Sequence, residues 1–567
     1  MNKKIKLMIA LFSFASAVVA KDNCCEEVKV DTCAPQSQNL YLPRSISSSA
    51  TRDMISLQDK TKHLDKDDCE CVKTKSITFE YAQSFGDSEC RLGGLPFWSG
   101  TNTMTIGKND GLSDLDAYQF GLGEATTQGS ITLTPRIQQA SGQLFWRKLQ
   151  HADERGLYAT LKLPVGAMIV EHCVSETPAQ ISQVEDDWSK YTVLANRFDT
   201  IEEALIGGFE NKEPDFKYGR LSKEQLSVVR VGDLEFALGY NPYVGDRGYV
   251  GVGFKFSAPT GNVPTARYML EPIVGRAGHW SVGGEVHGRF SVYECDDYEL
   301  DLQMRGEVLH LTSGRKPHWR SFDLAANGDG SKYMLLQRYK TEKVVGGSGT
   351  VVVPDIITPA INVTTVPVLS RISAEGNFAL MLDFKKDCWN MSLSGEIWGR
   401  SSECLEIDTC RLARYSDKLN LNDYAVLGRQ VSRDDRFTDN VANAAANLNF
   451  AEPAAKINES VDRITASGTA PAGPAVAPTL STAQADKVKD ATVSANRIPA
   501  DFETALNVAG AQAPRVITGK VTVEAGYTFK DSCHMPHVSL YGGVEIADKT
   551  SRAPNFWSLG LQGSMQF

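Results

Sequence analysis

Residues 299–308, ELDLQMRGEV, place Leu300, Leu302, Met304 and Val308 on one side of an extended chain and Glu299, Asp301, Gln303, Arg305 and Glu307 on the other. Successive side chains of a strand point to opposite faces, so this segment is oily on one face and densely charged on the other. The pattern recurs. In 281–292, Val282, Val286, Phe290 and Val292 oppose Ser281, Glu285, His287 and Arg289. In 372–384, Ile372, Ala374, Phe378, Leu380, Leu382 and Phe384 oppose Ser373, Glu375, Asn377 and Asp383. In 521–530, Val521, Val523, Ala525, Tyr527 and Phe529 oppose Thr522, Glu524, Thr528 and Lys530. Other strand-like segments fall at 75–83, 116–123, 129–138, 143–149, 156–171, 233–241, 248–258, 391–400, 422–430, 536–547 and 556–567. Weaker ones lie near 268–275 and 316–324, and turn-rich spacers separate the segments.

Such strands admit two solutions. A soluble sandwich turns the apolar faces inward, and a membrane barrel turns them to lipid while the polar faces line the interior. The apolar rows here are thin, with frequent Gly and Ala, whereas a dry core needs bulk to fill it. An apolar content of 42 % and a mean hydropathy of −0.25 exclude a polytopic helical membrane protein. They suit a chain in which only every second strand residue meets lipid. The expected fold is all-β: a transmembrane antiparallel β-barrel with an even strand number between 12 and 18 and long extracellular loops.

Residues 1–20, MNKKIKLMIALFSFASAVVA, carry a basic start (Lys3, Lys4, Lys6), an apolar stretch from Leu7 to Ala17 and small residues at Val18-Val19-Ala20. This is the layout of a cleaved export signal, and its apolar stretch is too short to span a bilayer. With 59 basic against 69 acidic side chains, the formal charge is −10, which excludes a general nucleic-acid binder. The chain has 12 cysteines: Cys24, Cys25, Cys33, Cys69, Cys71, Cys90, Cys173, Cys295, Cys388, Cys404, Cys410 and Cys533. In an exported chain an even count predicts disulfides, with connectivity left open. Residues 21–72 read as a cysteine-containing N-terminal extension. The barrel occupies 73–567 and includes an Ala/Pro-rich insertion at 431–517, with short helices expected at 434–448 and 500–509.

The last segment, NFWSLGLQGSMQF, sets Trp557, Leu559, Leu561, Met565 and Phe567 on one face. In this it resembles Gram-negative outer-membrane barrel proteins of porin-like type, whose final strand ends on an aromatic residue and serves as the recognition signal for barrel assembly. The resemblance implies an outer-membrane location, lipid and the barrel-assembly machinery as partners, and a homotrimer. Segment 246–285 is similar to paired strands of hydrophobic-compound channels, with Pro259-Thr260-Gly261 marking a turn and His279-Trp280 an interfacial position. The cysteines and long loops resemble the layout of cysteine-rich major outer membrane proteins and imply intermolecular disulfides.

The sequence holds no HExxH, GxSxG, CxxC or phosphate-binding glycine loop. No catalytic residue, metal or cofactor is assigned. Function is sought in the barrel interior, where wall charges select solutes. The candidate pore-lining residues are Lys255, Glu285, Arg289, Asp301, Arg305, Glu307, Glu375, Glu396 and Glu524. His287 and His310 read as solvated or interfacial. Loops 174–230, 325–370 and 431–517 are the candidates for an inward constriction. The expected function is a porin for passive diffusion of small hydrophilic solutes or ions. The alternatives are a channel for hydrophobic molecules, for which 21–72 would serve as a small plug, and a disulfide-crosslinked structural or adhesive surface protein.

Overall fold

Strands that are oily on one face and charged on the other leave no free edge when they close on themselves. In the computed structural model, twelve antiparallel strands follow one another in chain order and the last pairs with the first. They are β1 Lys73–Phe85, β2 Arg136–Leu149, β3 Gly156–Glu171, β4 Leu234–Gly245, β5 Gly248–Ala258 and β6 Trp280–Glu294. The second half comprises β7 Tyr298–Thr312, β8 Thr365–Lys386, β9 Trp389–Arg400, β10 Val516–Thr528, β11 His537–Ala547 and β12 Asn555–Gln566. The structure describes residues 37–567 except 58–72, 87, 108–112, 121, 123–127, 152–153, 178–197, 199, 208–214, 246, 296–297, 315, 344–349, 416–419, 427–496 and 531–533. The export signal, the start of the N-terminal extension and the segment 434–448 lie outside the described residues.

The closing seam is paired from Thr74 opposite Gln566 to Phe85 opposite Asn555. Beyond it, the Phe567 N–H donates to the Lys73 carbonyl at 2.8 Å and the Lys73 N–H to the Phe567 carbonyl at 3.1 Å. Every barrel strand therefore has two neighbours, which satisfies the backbone without water. The faces sort cleanly: Phe254 is 55 % exposed and its neighbour Lys255 only 1 %. Phe79, Leu144, Leu238, Leu393, Val523, Leu540, Leu559 and Leu561 are exposed in the same outward belt. An apolar exterior around a charged interior is the arrangement of a transmembrane barrel. Among the described residues no helix is long and apolar enough to cross a membrane; the strands do so.

The two ends differ. At one end, where Lys73 and Phe567 lie, few residues separate β2 from β3, β4 from β5, β6 from β7, β8 from β9 and β10 from β11. The long connections 86–135, 172–233, 259–279, 313–364 and 401–515 all leave the other. The described residues of those connections include a cap with its own core, to which Leu92, Phe97, Phe120, Leu133, Phe198, Phe216, Phe322, Tyr333, Leu421 and Leu506 belong. The Tyr333 ring packs 5.7 Å from Phe120 and 5.5 Å from Phe216 between ring centroids. The cap is anchored because β8 runs past the rim, where it pairs with the short strands His318–Ser321 and Glu403–Ile407.

Several expectations need correction. Segments 116–123 and 422–430 are not barrel strands: Leu115–Asp116 is a two-residue strand followed by a 3-10 turn, and Tyr424–Val426 pairs within the cap. Segments 129–138 and 143–149 are not two barrel strands either. Gly129–Leu133 belongs to the cap, and Arg136–Leu149 is one continuous strand. Apolar residues in these segments bury against other loops, which periodicity alone does not distinguish from a lipid-facing row. The segment 316–324 forms only the short strand His318–Ser321, and 500–509 contains the short helix Phe502–Ala505. No disulfide joins Cys173, Cys295, Cys388, Cys404 and Cys410 to one another. Cys24, Cys25, Cys33, Cys69, Cys71 and Cys533 fall outside the described residues.

Candidate functional site

The barrel interior is occupied by the chain's own N-terminal segment, residues 37–57. It starts in the cap, where the Lys332 ammonium donates to the Ser37 carbonyl and the Gln38 N–H donates to the Leu95 carbonyl at 3.0 Å. It passes the rim where Arg400 donates to the Leu42 carbonyl at 2.9 Å. It reaches mid-barrel as helix α1, Ala50–Leu57, and Ser56 there meets Thr78 of β1 at 3.1 Å between hydroxyls.

Local chemistry explains why a helix starts at this point. Ser49 caps it, its hydroxyl accepting the Arg52 N–H at 3.3 Å. The Glu396 carboxylate of β9 accepts the N–H groups of Ala50 at 3.0 Å and Thr51 at 3.3 Å and the Ser49 hydroxyl at 3.1 Å. A carboxylate at a helix N-terminus meets unsatisfied donors and the positive end of the helix dipole. The same carboxylate pairs with Arg44, whose other end reaches Glu545 at 3.3 Å. One small apolar contact completes the docking, as Ala50, Met54 and Ile55 bury against Ala379, Met381 and Tyr541.

The wall supplies a network of ion pairs to this plug. Lys255 pairs with Glu307 and, at 2.7 Å, with Glu235. Glu235 also accepts Arg276 at 2.7 Å and lies 3.3 Å from Lys162. Lys162 turns to Asp53 of α1, and Arg305 reaches the same Asp53 at 3.2 Å and Glu285 at 2.8 Å. Arg276 binds Glu375 at 2.9 Å. Towards the short-turn end, Arg289 holds Asp301 at 2.6 Å and Glu299 at 2.7 Å, and Lys385 adds a contact to Asp301 at 3.1 Å. Glu524 accepts the Ser392 hydroxyl at 2.7 Å.

All nine candidate residues of the sequence reading therefore face the interior, and all are buried. Lys255, Glu285, Arg305, Glu307, Glu375 and Glu396 belong to the plug-facing network, whereas Arg289 and Asp301 lie below it and Glu524 sits apart against Ser392 and His537. His287 is not solvated. It is buried among Tyr158 and Tyr249, with ring centroids 4.7 and 5.8 Å away. His310 is exposed, and its Nδ1 lies 3.0 Å from the Ser373 carbonyl. His279 is fully buried on the Ser370 hydroxyl at 2.8 Å rather than interfacial. None of the three long loops proposed as a constriction fills mid-barrel among the described residues; the segment before β1 does.

The sequence reading missed Arg44, Asp53, Lys162, Glu235 and Arg276. Lys162 and Glu235 sit on the inward parity of β3 and β4, a signal available in the alternation itself. Arg44 and Asp53 carry no such signal, because an unpartnered polar stretch of one helical turn or two shows no periodicity. Among the described residues, a cavity of about 70 Å³ lies between plug and wall, lined in part by Arg44, Arg52, Lys520, Glu80 and Glu545.

The sequence matches no protein-family model and no curated protein. Three solved structures show a distant likeness. An outer membrane channel from Pseudomonas putida F1 is 8 % identical with a TM-score of 0.33, over 89 % of this chain and 100 % of that one. A Pseudomonas aeruginosa FadL homologue is 9 % identical with a TM-score of 0.24, over 88 % and 89 %. The translocator domain of the autotransporter NalP from Neisseria meningitidis is 8 % identical with a TM-score of 0.22, over 92 % and 98 %. At this distance they carry no argument about function, which rests on this chain's own closed barrel and the contents of its lumen.

Proposed function

We propose that this protein is an outer-membrane channel for small hydrophilic solutes or ions, with residues 37–57 as an internal gate. The observation that carries the reading is the match between plug and wall: Asp53 on Lys162 and Arg305, and Arg44 on Glu396 and Glu545. A wall of ionised side chains concentrates field along the axis and favours hydrated solutes once the plug moves. A conduit for hydrophobic molecules needs an apolar interior, and the burial of Lys255, Glu307, Glu235 and Arg276 inside this one weighs against it. The outward row Trp557, Leu559, Leu561, Met565 and Phe567 beside the closing seam supports its reading as the barrel-assembly signal.

Planar-bilayer recording tests the gate. The unaltered protein is expected to conduct rarely, and the double variant Arg44→Ala, Asp53→Ala to show at least a tenfold higher open probability. Negligible current from both proteins defeats the channel reading.

A further inference from the structure

Asp53 and Arg44 dock on the wall in different ways. Under Asp53 the wall is already paired: Lys162 lies 3.3 Å from Glu235, and Arg305 lies 2.8 Å from Glu285. Under Arg44 it is not. Among the described residues, every hydrogen-bond and ion-pair partner of the fully buried Glu396 carboxylate belongs to the plug: the Arg44 guanidinium, the Ser49 hydroxyl and the N–H groups of Ala50 and Thr51. Glu545 accepts the same guanidinium at 3.3 Å and has the Thr518 hydroxyl as a partner on the wall. Lys520 stands between the two acids in register, but its ammonium contacts Glu80, at 3.2 Å. Once the plug leaves, these three carboxylates share one lysine.

The shape of the Arg44 seat says which cation it suits. Two carboxylates from different strands converge on one guanidinium, and the Trp398 ring centroid lies 5.7 Å from its Cζ. A guanidinium is planar, presents its donors in a fixed fork and stacks on aromatic faces. An ammonium is a compact, strongly hydrated point charge without that fork. A buried carboxylate left uncompensated is costly, so the vacated seat draws in a cation. The cavity of about 70 Å³ beside the plug is lined in part by Arg44, Trp398 and Glu545, and it gives a competing solute room next to the occupied seat.

We propose that Glu396, Glu545 and the face of Trp398 form a binding site for guanidinium-bearing solutes. Arg44 fills the site in the closed state and stands in for the solute. An incoming guanidinium competes with Arg44 for the two carboxylates and so favours release of the plug. The competition rests on the reading of residues 37–57 as a gate, whereas the site itself is tested without current.

The first test uses the full chain carrying Arg44→Ala, which vacates the seat, in detergent micelles at constant ionic strength. Guanidinium chloride at millimolar concentration is expected to raise the thermal unfolding midpoint saturably, with ammonium chloride at least fivefold weaker and sodium chloride without effect. Adding Glu396→Gln is expected to weaken guanidinium binding at least tenfold. If that variant does not fold, Glu545→Gln in its place removes the other carboxylate and is expected to weaken binding about as much. The site falls if guanidinium does not saturate, if ammonium or sodium acts equally, or if the folded carboxylate variants bind as their parent does; water then fills the vacated seat. The second test records the unaltered protein in planar bilayers, where guanidinium is expected to raise the open probability at least threefold over sodium at equal ionic strength. An unchanged open probability, in a protein whose Arg44→Ala, Asp53→Ala variant conducts, removes the competition and leaves the channel standing. If that variant does not conduct either, the channel reading fails, and the micelle titration still decides the site.

Discussion

The Glu396 carboxylate accepts the Ala50 N–H at 3.0 Å, so the first turn of the plug helix is docked on the barrel wall. The carboxylate is fully buried and also pairs with Arg44. Removing it leaves Arg44 with Glu545 alone of its two acidic partners and strands the donors of Ser49, Ala50 and Thr51. Breaking a buried pair from one side costs about 3–5 kcal/mol. Glu396→Ala is therefore expected to raise the opening equilibrium of the plug at least a hundredfold. Hydrogen exchange of the Ala50–Leu57 amides measures this directly. Faster exchange there, with the β1–β12 seam unchanged, is the expected result, and unchanged exchange in α1 counts against the docking account.

Lys255 sits between Glu235 and Glu307 at the centre of the network. Lys255→Met leaves both carboxylates with one cation fewer and makes the wall more acidic. In a background where the plug is released, the variant is expected to shift the reversal potential towards cation selectivity under a salt gradient. An unchanged reversal potential places the conduction path elsewhere.

Acid is expected to loosen the junction between cap and barrel. His279 and His318 meet edge to face at that junction, 4.7 Å apart between ring centroids. Burial holds both towards the neutral form, His318 strongly so, with Arg320 adding to the effect on each. Arg400 acts in the same direction on His279 and Arg411 on His318, while Glu403 opposes them at both rings and the Arg276 carbonyl opposes them at His279. A depressed folded-state pKa contributes stability that is present above the unfolded value near 6.5 and is lost as pH falls. Glu403 does not offset this in the same range: burial pushes its carboxyl up, but Arg320 and Ser370 bring it down to about 2. Thermal unfolding between pH 7.5 and 5 is expected to show a falling midpoint that flattens in the double variant His279→Gln, His318→Gln. An equal slope in both proteins removes the histidines from the account.

The barrel was legible because alternation is local. In Glu299–Val308 or Trp557–Phe567 each residue declares its face by parity, and the nine candidate wall residues follow from that rule alone. A plug within 21–72 was expected only for the hydrophobic-channel alternative, and its partners were not legible. Asp53 meets Lys162 across 109 positions of sequence and Arg44 meets Glu545 across 501, and nothing in a polar stretch announces such distant partners. The cap misled for a related reason. Tyr424–Val426 and Leu115–Asp116 look like barrel strands, yet they are short cap strands that bury apolar side chains against other loops instead of lipid.

Tyr158 lies flat across two strands that have no side chain to resist it. A Cβ built at Gly253 meets the Tyr158 hydroxyl at 2.3 Å, and one at Gly239 meets its ring at 2.3 Å. This seat lets the hydroxyl donate to Glu285 at 3.1 Å, and Glu285 in turn holds Arg305 beside Asp53. Gly253→Ala is expected to displace the ring and destabilise the barrel by about 1–3 kcal/mol, the usual cost of overpacking a filled interior. The second change Tyr158→Phe removes the hydroxyl that the new methyl meets, so the pair is expected to be less damaging than the sum of the single changes. Urea unfolding in micelles of the two single variants and the double variant measures the coupling. Strict additivity means that the glycine and the tyrosine act independently and that Glu285 is positioned by Arg305 alone.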